Sequence, residues 1–197
     1  MKILVGVHKL DFYKGIPEML EAMDTTPSTM GKRCSSRLFG MLDTRPRTTT
    51  RFLNRQINEL VGRVNGRFGT AEYCPIRYLK RSIDHEQLVA LYNAADVAIV
   101  SSIKEGINLQ AIEFIAAQKE NCHGVLVYSE FAGCASSFQG ALLVNPMHIE
   151  QVAASIDTAL RMNTTTKRIR HHQLSRYVNT YTPTLWAQPI MWALSEA

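Results

Sequence analysis

Hydrophobic and polar positions alternate along this chain in blocks. Short continuous apolar runs are followed by stretches with helical spacing. "KILVGV" (residues 2–7), "DVAIVSS" (96–102), "GVLVYSE" (124–130) and "ALLVNP" (141–146) are β-branched runs with no polar alternation, the pattern of strands covered on both faces. "AEYCPIRYL" (71–79) reads as a further strand, with Pro75 as a weak point. Helical spacing follows between them. Pro17 sits at a first helical turn ahead of "EMLEAM" (18–23), and residues 25–29 read as a loop. Leu53, Ile57, Leu60, Val61 and Val64 share a face of a helix that Gly66 and Gly69 end. Ser82 or Asp84 caps a helix through Leu88, Leu91 and Tyr92. "NLQAIEFIAAQ" (108–118) and "IEQVAASIDTALRM" (149–162) are amphipathic, and "FAGCASSF" (131–138) reads as the start of a short helix. The last segment is a helical tail broken at Pro183 and Pro189.

Strands alternating with helices, the strands apolar throughout, predict a Rossmann-like doubly wound parallel sheet in one α/β domain over residues 1–180, with a helical tail over 181–197. Residues 33–52 fit neither period. They are expected to be irregular and to stay out of the sheet.

Composition narrows the function. The 197 residues are 46% hydrophobic, enough for one domain with a substantial core. No apolar run approaches a membrane span, and "KILVGV" is too short and wrongly flanked for a signal peptide. Cys34, Cys74, Cys122 and Cys134 form no C-x-x-C, which points to reduced thiols and a cytoplasmic chain. The histidines form no zinc motif. The net charge of +5 hints at nucleic acid, yet residues 32–67 hold nine Lys/Arg against two Asp/Glu. The basicity belongs to that segment. Arg33, Arg37, Arg45, Arg47, Arg51 and Arg55 lack interleaved aromatic residues or a recognised motif, so neither a nucleic-acid nor a membrane partner is expected.

The candidate chemistry lies at strand ends. "KEGIN" (104–108) follows an apolar strand and leads into a helix, where free N–H groups and the helix dipole favour an anion. Gly106 permits close approach or a positive φ, and Asn108 can cap the helix. Glu113, a turn and a half in, suits sugar hydroxyls better than phosphate. The loop "HKLDFYKG" (8–15) brings Lys9 and Lys14 to the end of the first strand, a pair suited to a diphosphate. Taken singly, two loop lysines are usually solvated and a glutamate after a glycine is usually a cap or an ion-pair partner. Their joint placement at strand ends favours a ligand.

"VGVHKLDFYKGIPEMLEAM", "NELVGRVNGRFGTAEYCPIRYLKRSI", "ADVAIVSSIKEGINLQAIEFIAAQ" and "GVLVYSEFAGCASSFQGALLVNP" resemble, in the same order and spacing, segments of the trehalose-6-phosphate synthases. The resemblance spans the chain outside residues 33–52 and the far tail. It implies the donor-binding, C-terminal half of a GT-B glycosyltransferase that moves glucose from UDP-glucose to glucose-6-phosphate with retention and without a metal or other cofactor. By this resemblance Lys9 and Lys14 hold the diphosphate. Glu105 and the backbone of Gly106, Ile107, Asn108 and Leu109 hold the glucose, Glu113 the ribose, and the backbone at Ile83 the uracil. No catalytic residue is expected in this chain, because the family's acceptor-binding half has no counterpart here. Glucose-6-phosphate is expected to bind only if that half is supplied. A non-catalytic sugar-nucleotide-binding or regulatory subunit is the alternative.

The departures from the family pattern are specific. Lys9 stands for an Arg and loses its planar fork, Glu105 for an Asp, and Ile107 for a Met. Residues 33–52 replace an apolar strand. The tail, with Trp186, Met191, Trp192 and Leu194, would cross to the missing half, so an exposed apolar face and self-association or a protein partner are expected.

Overall fold

The computed structural model describes residues 2–25, 34–36, 48–118 and 123–196, without the side chains of 34–36 and 48–50. Among the described residues, five strands, β1 (Lys2–Val5), β2 (Cys34–Ser36), β3 (Val97–Val100), β4 (Val125–Ser129) and β5 (Leu142–Val144), form one sheet in the order β2-β1-β3-β4-β5. Every pairing is parallel; Leu4 lies opposite Val97, Val97 opposite Val125, and Ser129 opposite Val144. The expected doubly wound sheet is present.

Among the described residues, seven helices connect and flank the strands: α1 (Ile16–Thr25), α2 (Thr48–Phe68), α3 (His85–Ala94), α4 (Leu109–Ala117), α5 (Ile149–Arg161), α6 (Thr164–Thr180) and α7 (Pro183–Ser195). Because side chains alternate along a strand, the central strands β1, β3 and β4 each feed two cores. Leu4, Val97, Ile99, Val125 and Val127 meet Met19 and Leu20 of α1, Ile57 of α2 and Ile156 of α5. Val5, Ala98, Val100, Leu126 and Tyr128 meet Leu88 and Tyr92 of α3, Phe114 and Ile115 of α4 and Leu174 of α6. This two-sided burial is why β1, β3 and β4 read as unbroken apolar runs; β5, expected to be covered on both faces, leaves Leu143 exposed.

The structure differs from the sequence reading in several places. Residues 34–36 are not outside the sheet; they pair in parallel with β1 as its edge strand. Backbone hydrogen bonds carry that pairing, and apolar content does not report them. Residues 48–52 belong to α2, while 37–47 lie outside the described residues, as do 26–29 of the expected loop. Residues 71–79 form no strand. Their backbone is held by a side chain: Asn65 Nδ2 donates to the Ile76 carbonyl at 2.9 Å, and the Ile76 N–H donates to Asn65 Oδ1 at 2.8 Å. An amide that offers both a donor and an acceptor thus takes the place of a neighbouring strand.

Gly66 lies within α2 and Gly69 follows its end. Asp84, not Ser82, caps α3, its Oδ1 accepting from the Gln87 N–H at 2.8 Å. Residues 131–138 form successive turns instead of a helix. Pro183 opens α7 at its first turn, behind the Thr182 cap, whereas Pro189 lies inside that helix without ending it.

Candidate functional site

The strand order reverses between β1 and β3: β2 lies outward of β1 on one side, β4 and β5 outward of β3 on the other. In open α/β sheets this divergence leaves a crevice at the carboxyl ends of the strands, where ligands bind. The loop after β1 and the loop after β3 meet there.

Backbone contacts hold the two loops together. A 3-10 turn over Phe12–Lys14 is capped by Asp11 and ends in Gly15 at φ 63°. The Ile103 N–H donates to the Tyr13 carbonyl at 2.8 Å, and Ser101 Oγ donates to the Gly15 carbonyl at 2.8 Å. A Cβ on Gly15 would overlap the Ser101 carbonyl. Glycine is required there both for the left-handed backbone and for the close approach. The turns after β4 add a third wall. Glu105 bridges to Ala132, and the Gly133 N–H donates to the Gly106 carbonyl at 2.9 Å.

Lys14 and Glu105 form an ion pair across this crevice, their side chains 17% and 11% exposed. Ser102 Oγ donates to Glu105 Oε2 at 2.5 Å and Asn108 Nδ2 to the same oxygen at 2.7 Å. Asn108 Oδ1 accepts from the Ala111 N–H at 2.8 Å, so one buried side chain both caps α4 and orients Glu105. Burial pushes the Glu105 carboxyl up. Hydrogen bonds from Lys14, Ser102 and Asn108, with the Lys14 charge, outweigh that and hold it below the usual carboxylate range.

Lys14, Glu105 and Asn108, picked out from the sequence, are therefore brought together. Gly106 has an ordinary negative φ, and open space faces it where a side chain would stand. Its value is room, not a left-handed backbone. Ile107 and Leu109 expose their side chains beside the α4 N-terminus, whose first-turn N–H groups lack intrahelical partners. Glu113 is exposed one turn beyond Leu109; after burial, its charge is the next cause that raises the Tyr92 phenol. Lys9 is exposed on the loop after β1. Ile83 packs against the second core immediately before the α3 cap. Among the described residues, no hydrogen bond or ion pair joins Glu113 or Ile83 to the Lys14–Glu105 pair.

Sequence reasoning missed three contributors. Ser102 was only the end of an apolar run, and Gly133 a small residue in a presumed helix. His8 falls in a stretch whose sequence reads as a polar loop, yet it is 2% exposed. Both of its ring nitrogens are without a hydrogen-bond partner among the described residues. Burial, then the Lys14 charge, lowers it to about 4, against an upward pull from Glu105. Its position between an apolar strand and Lys9 was the available signal.

The sheet, its switch-point crevice and the helix-capped polar cradle define a Rossmann-like α/β domain with its candidate site at the carboxyl ends of the strands. The model of glycosyltransferase family 20 matches residues 1–196, and the chain belongs to that family. It is 40% identical over its whole length to the UDP-forming alpha,alpha-trehalose-phosphate synthase of Schizosaccharomyces pombe, of which it covers 39%. It is 39% identical, again over its whole length, to synthase 1 of Aspergillus niger, covering 38% of that protein. The chain thus spans about two-fifths of the length of the relatives it matches.

Among solved structures, the Escherichia coli trehalose-6-phosphate protein bound with UDP-2-fluoro glucose superposes with a TM-score of 0.93 at 28% identity, over 100% of this chain and 44% of that one. The Burkholderia xenovorans synthase in complex with glucose-6-phosphate gives 0.92 at 29% identity, over 96% of this chain and 42% of the other.

Proposed function

We propose that this chain is the donor half of a UDP-glucose-dependent trehalose-phosphate synthase, a domain over residues 1–180 that binds UDP-glucose and needs an acceptor-binding half to transfer the glucosyl group to glucose-6-phosphate. The observation that carries this reading is the Lys14–Glu105–Asn108 cluster at the switch point, beside the N-terminus of α4. In it Lys9 and Lys14 neutralise the diphosphate. Glu105, held by Ser102 and Asn108, accepts from glucose hydroxyls, while the backbone of residues 106–109 lies against the sugar and phosphate. Glu113 accepts from the ribose, and the backbone at Ile83 reads the uracil. UDP leaves with growing negative charge, which ammonium and N–H donors stabilise without a metal cofactor. Diphosphate binding has a further consequence: it draws Lys14 from Glu105 and frees that carboxylate for the sugar.

Thermal unfolding with UDP-glucose tests the binding, since a ligand of the native state raises the melting temperature as its concentration passes Kd. No shift at millimolar UDP-glucose would defeat the reading. The chain with UDP-glucose and glucose-6-phosphate should release no UDP by itself.

A second reading, a non-catalytic sugar-nucleotide-binding or regulatory subunit in a synthase assembly, is favoured by α7. No residue of that helix is buried; Trp186 is 73% and Trp192 66% exposed, with Leu185, Ile190, Met191 and Leu194 also uncovered. The tail at 181–197 is then the docking element for a protein partner or a second copy. Cys74 and Cys134 are free thiols, in keeping with a cytoplasmic setting. No helix among the described residues is long and apolar enough to cross a membrane. Arg55, Arg63 and Arg67 are paired with Glu59 or Asp24, which leaves less of the basic segment to meet a polyanion; Arg33, Arg37, Arg45 and Arg47 lie outside the described residues.

A further inference from the structure

The imidazole of His8 has no part in the donor reading, yet it is built into the same crevice. His8 follows β1 by three residues, at the end of the strand that pairs with β3, and β3 leads to Ser102 and Glu105. It is buried with neither Nδ1 nor Nε2 partnered among the described residues. Burying an imidazole this way forfeits its hydrogen bonds to water, a cost that an apolar residue of similar size would avoid. The charged groups acting on it are Lys14, from the loop after β1, and Glu105, from the loop after β3. Burial is the main reason that the ring is neutral; of the two charges, which pull in opposite senses, Lys14 outweighs Glu105 while they are paired.

A diphosphate on Lys14 reverses this balance. Its negative charge offsets the ammonium and competes with Glu105 for it. Glu105 then keeps the hydrogen bonds from Ser102 and Asn108 but loses its counter-charge. A buried carboxylate without a cation is costly, and a neutral imidazole in the same pocket can become that cation by taking one proton from solvent.

We propose that His8 is a positioning residue of the donor site, which takes up a proton when a sugar nucleotide draws Lys14 from Glu105 and so replaces the lysine as the counter-charge that keeps Glu105 ionised and in place. The proposal rests on the donor reading above. Its proton balance is simple: one proton passes from buffer to a ring nitrogen, and no other bond is made or broken.

UDP-glucose is a suitable probe, because its diphosphate diester has no group that titrates near neutral pH. Calorimetric titration of the chain with UDP-glucose near pH 6, in two buffers of different ionisation enthalpy, should show uptake of a sizeable fraction of one proton. Affinity should rise as pH falls through the histidine range, by at most about tenfold per pH unit for one linked proton. His8→Asn should still bind UDP-glucose but lose both the uptake and the pH slope. Binding without proton uptake, or uptake that survives in His8→Asn, overturns the proposal while leaving the donor site intact. Absence of UDP-glucose binding overturns the donor reading and this coupling with it. Should His8→Asn not fold, the His8 Cε1–H resonance of the unmodified chain decides: its titration midpoint must move up on adding UDP-glucose, and an unchanged midpoint refutes the coupling.

Discussion

Lys14 and Glu105, 91 residues apart in sequence, are ion-pair partners at the crevice where the sheet changes direction. The resemblance assigns them to different parts of one ligand, the diphosphate and the glucose. In the structure each occupies the other. A site so arranged keeps both charges compensated within the chain itself.

That arrangement predicts distinct failures of the ligand-facing side chains. Glu113→Ala should weaken UDP and UDP-glucose alike, because both carry the ribose, by about 1–3 kcal/mol for charge-assisted hydrogen bonds. Glu105→Ala should weaken UDP-glucose and leave UDP nearly unchanged or slightly tighter, since it also releases Lys14. Lys14→Ala should weaken both and flatten their salt dependence. Calorimetric titration of the three variants against both ligands reads these outcomes. Equal losses for both ligands in Glu105→Ala would remove the sugar from that carboxylate.

Gly15 is expected to tolerate no side chain. At φ 63°, with the Ser101 carbonyl where a Cβ would stand, Gly15→Ala combines left-handed strain with a backbone clash. The strain alone is worth roughly 1–3 kcal/mol. The local way out is to part the two loops. Chemical denaturation should show the loss, and UDP-glucose affinity should fall with it. Wild-type stability in Gly15→Ala would mean that the loops are not held as described.

Acid should weaken the fold partly through Glu105. Its carboxyl is held below the ordinary value of 4.5, so the folded chain binds that proton less readily than the unfolded chain. The corresponding stability is fully present above the unfolded value and is lost as pH falls through the lower folded value. Glu105→Gln removes this contribution. Its stability profile should therefore be flatter than that of the unmodified chain on the acid side of 4.5 and parallel above it. Parallel profiles throughout would show that the ion pair contributes no pH dependence.

Much of this was legible in sequence because the central strands β1, β3 and β4 bury both faces. Val97 to Val100 could be nothing but a central strand once both neighbours were apolar. Asn108 was legible too, since a capping amide before a helical period has a local cause. What escaped had non-local causes. The 34–36 strand is defined by its pairing with β1 and not by apolar content. The 71–79 segment looks like a strand but spends its hydrogen bonds on Asn65. Spacing alone leaves Lys14 and Glu105 as two separate ligands, because their pairing depends on the β1–β3 crossover.

The tail makes the last prediction. α7 carries Leu185, Trp186, Ile190, Met191, Trp192 and Leu194, none of them covered. The Thr182 cap and Pro183 at the first turn set the helix, and Pro189 does not end it, so these side chains stay on one short rigid element. Burying such aromatic and aliphatic groups stabilises by about 25 cal/mol per Å² of apolar surface, which makes an uncovered cluster of this kind an interaction face. The chain should therefore self-associate or bind a protein partner through α7. Sedimentation of the purified chain should show apparent mass rising with concentration, and Trp186→Ser with Trp192→Ser should lower it without changing UDP-glucose binding, since α7 supplies no residue to the crevice. Monomeric behaviour at high concentration in the unmodified chain would rule out self-association. Pull-down by an acceptor-binding half of a synthase, lost in the same double variant, would then distinguish a partner from an unused surface.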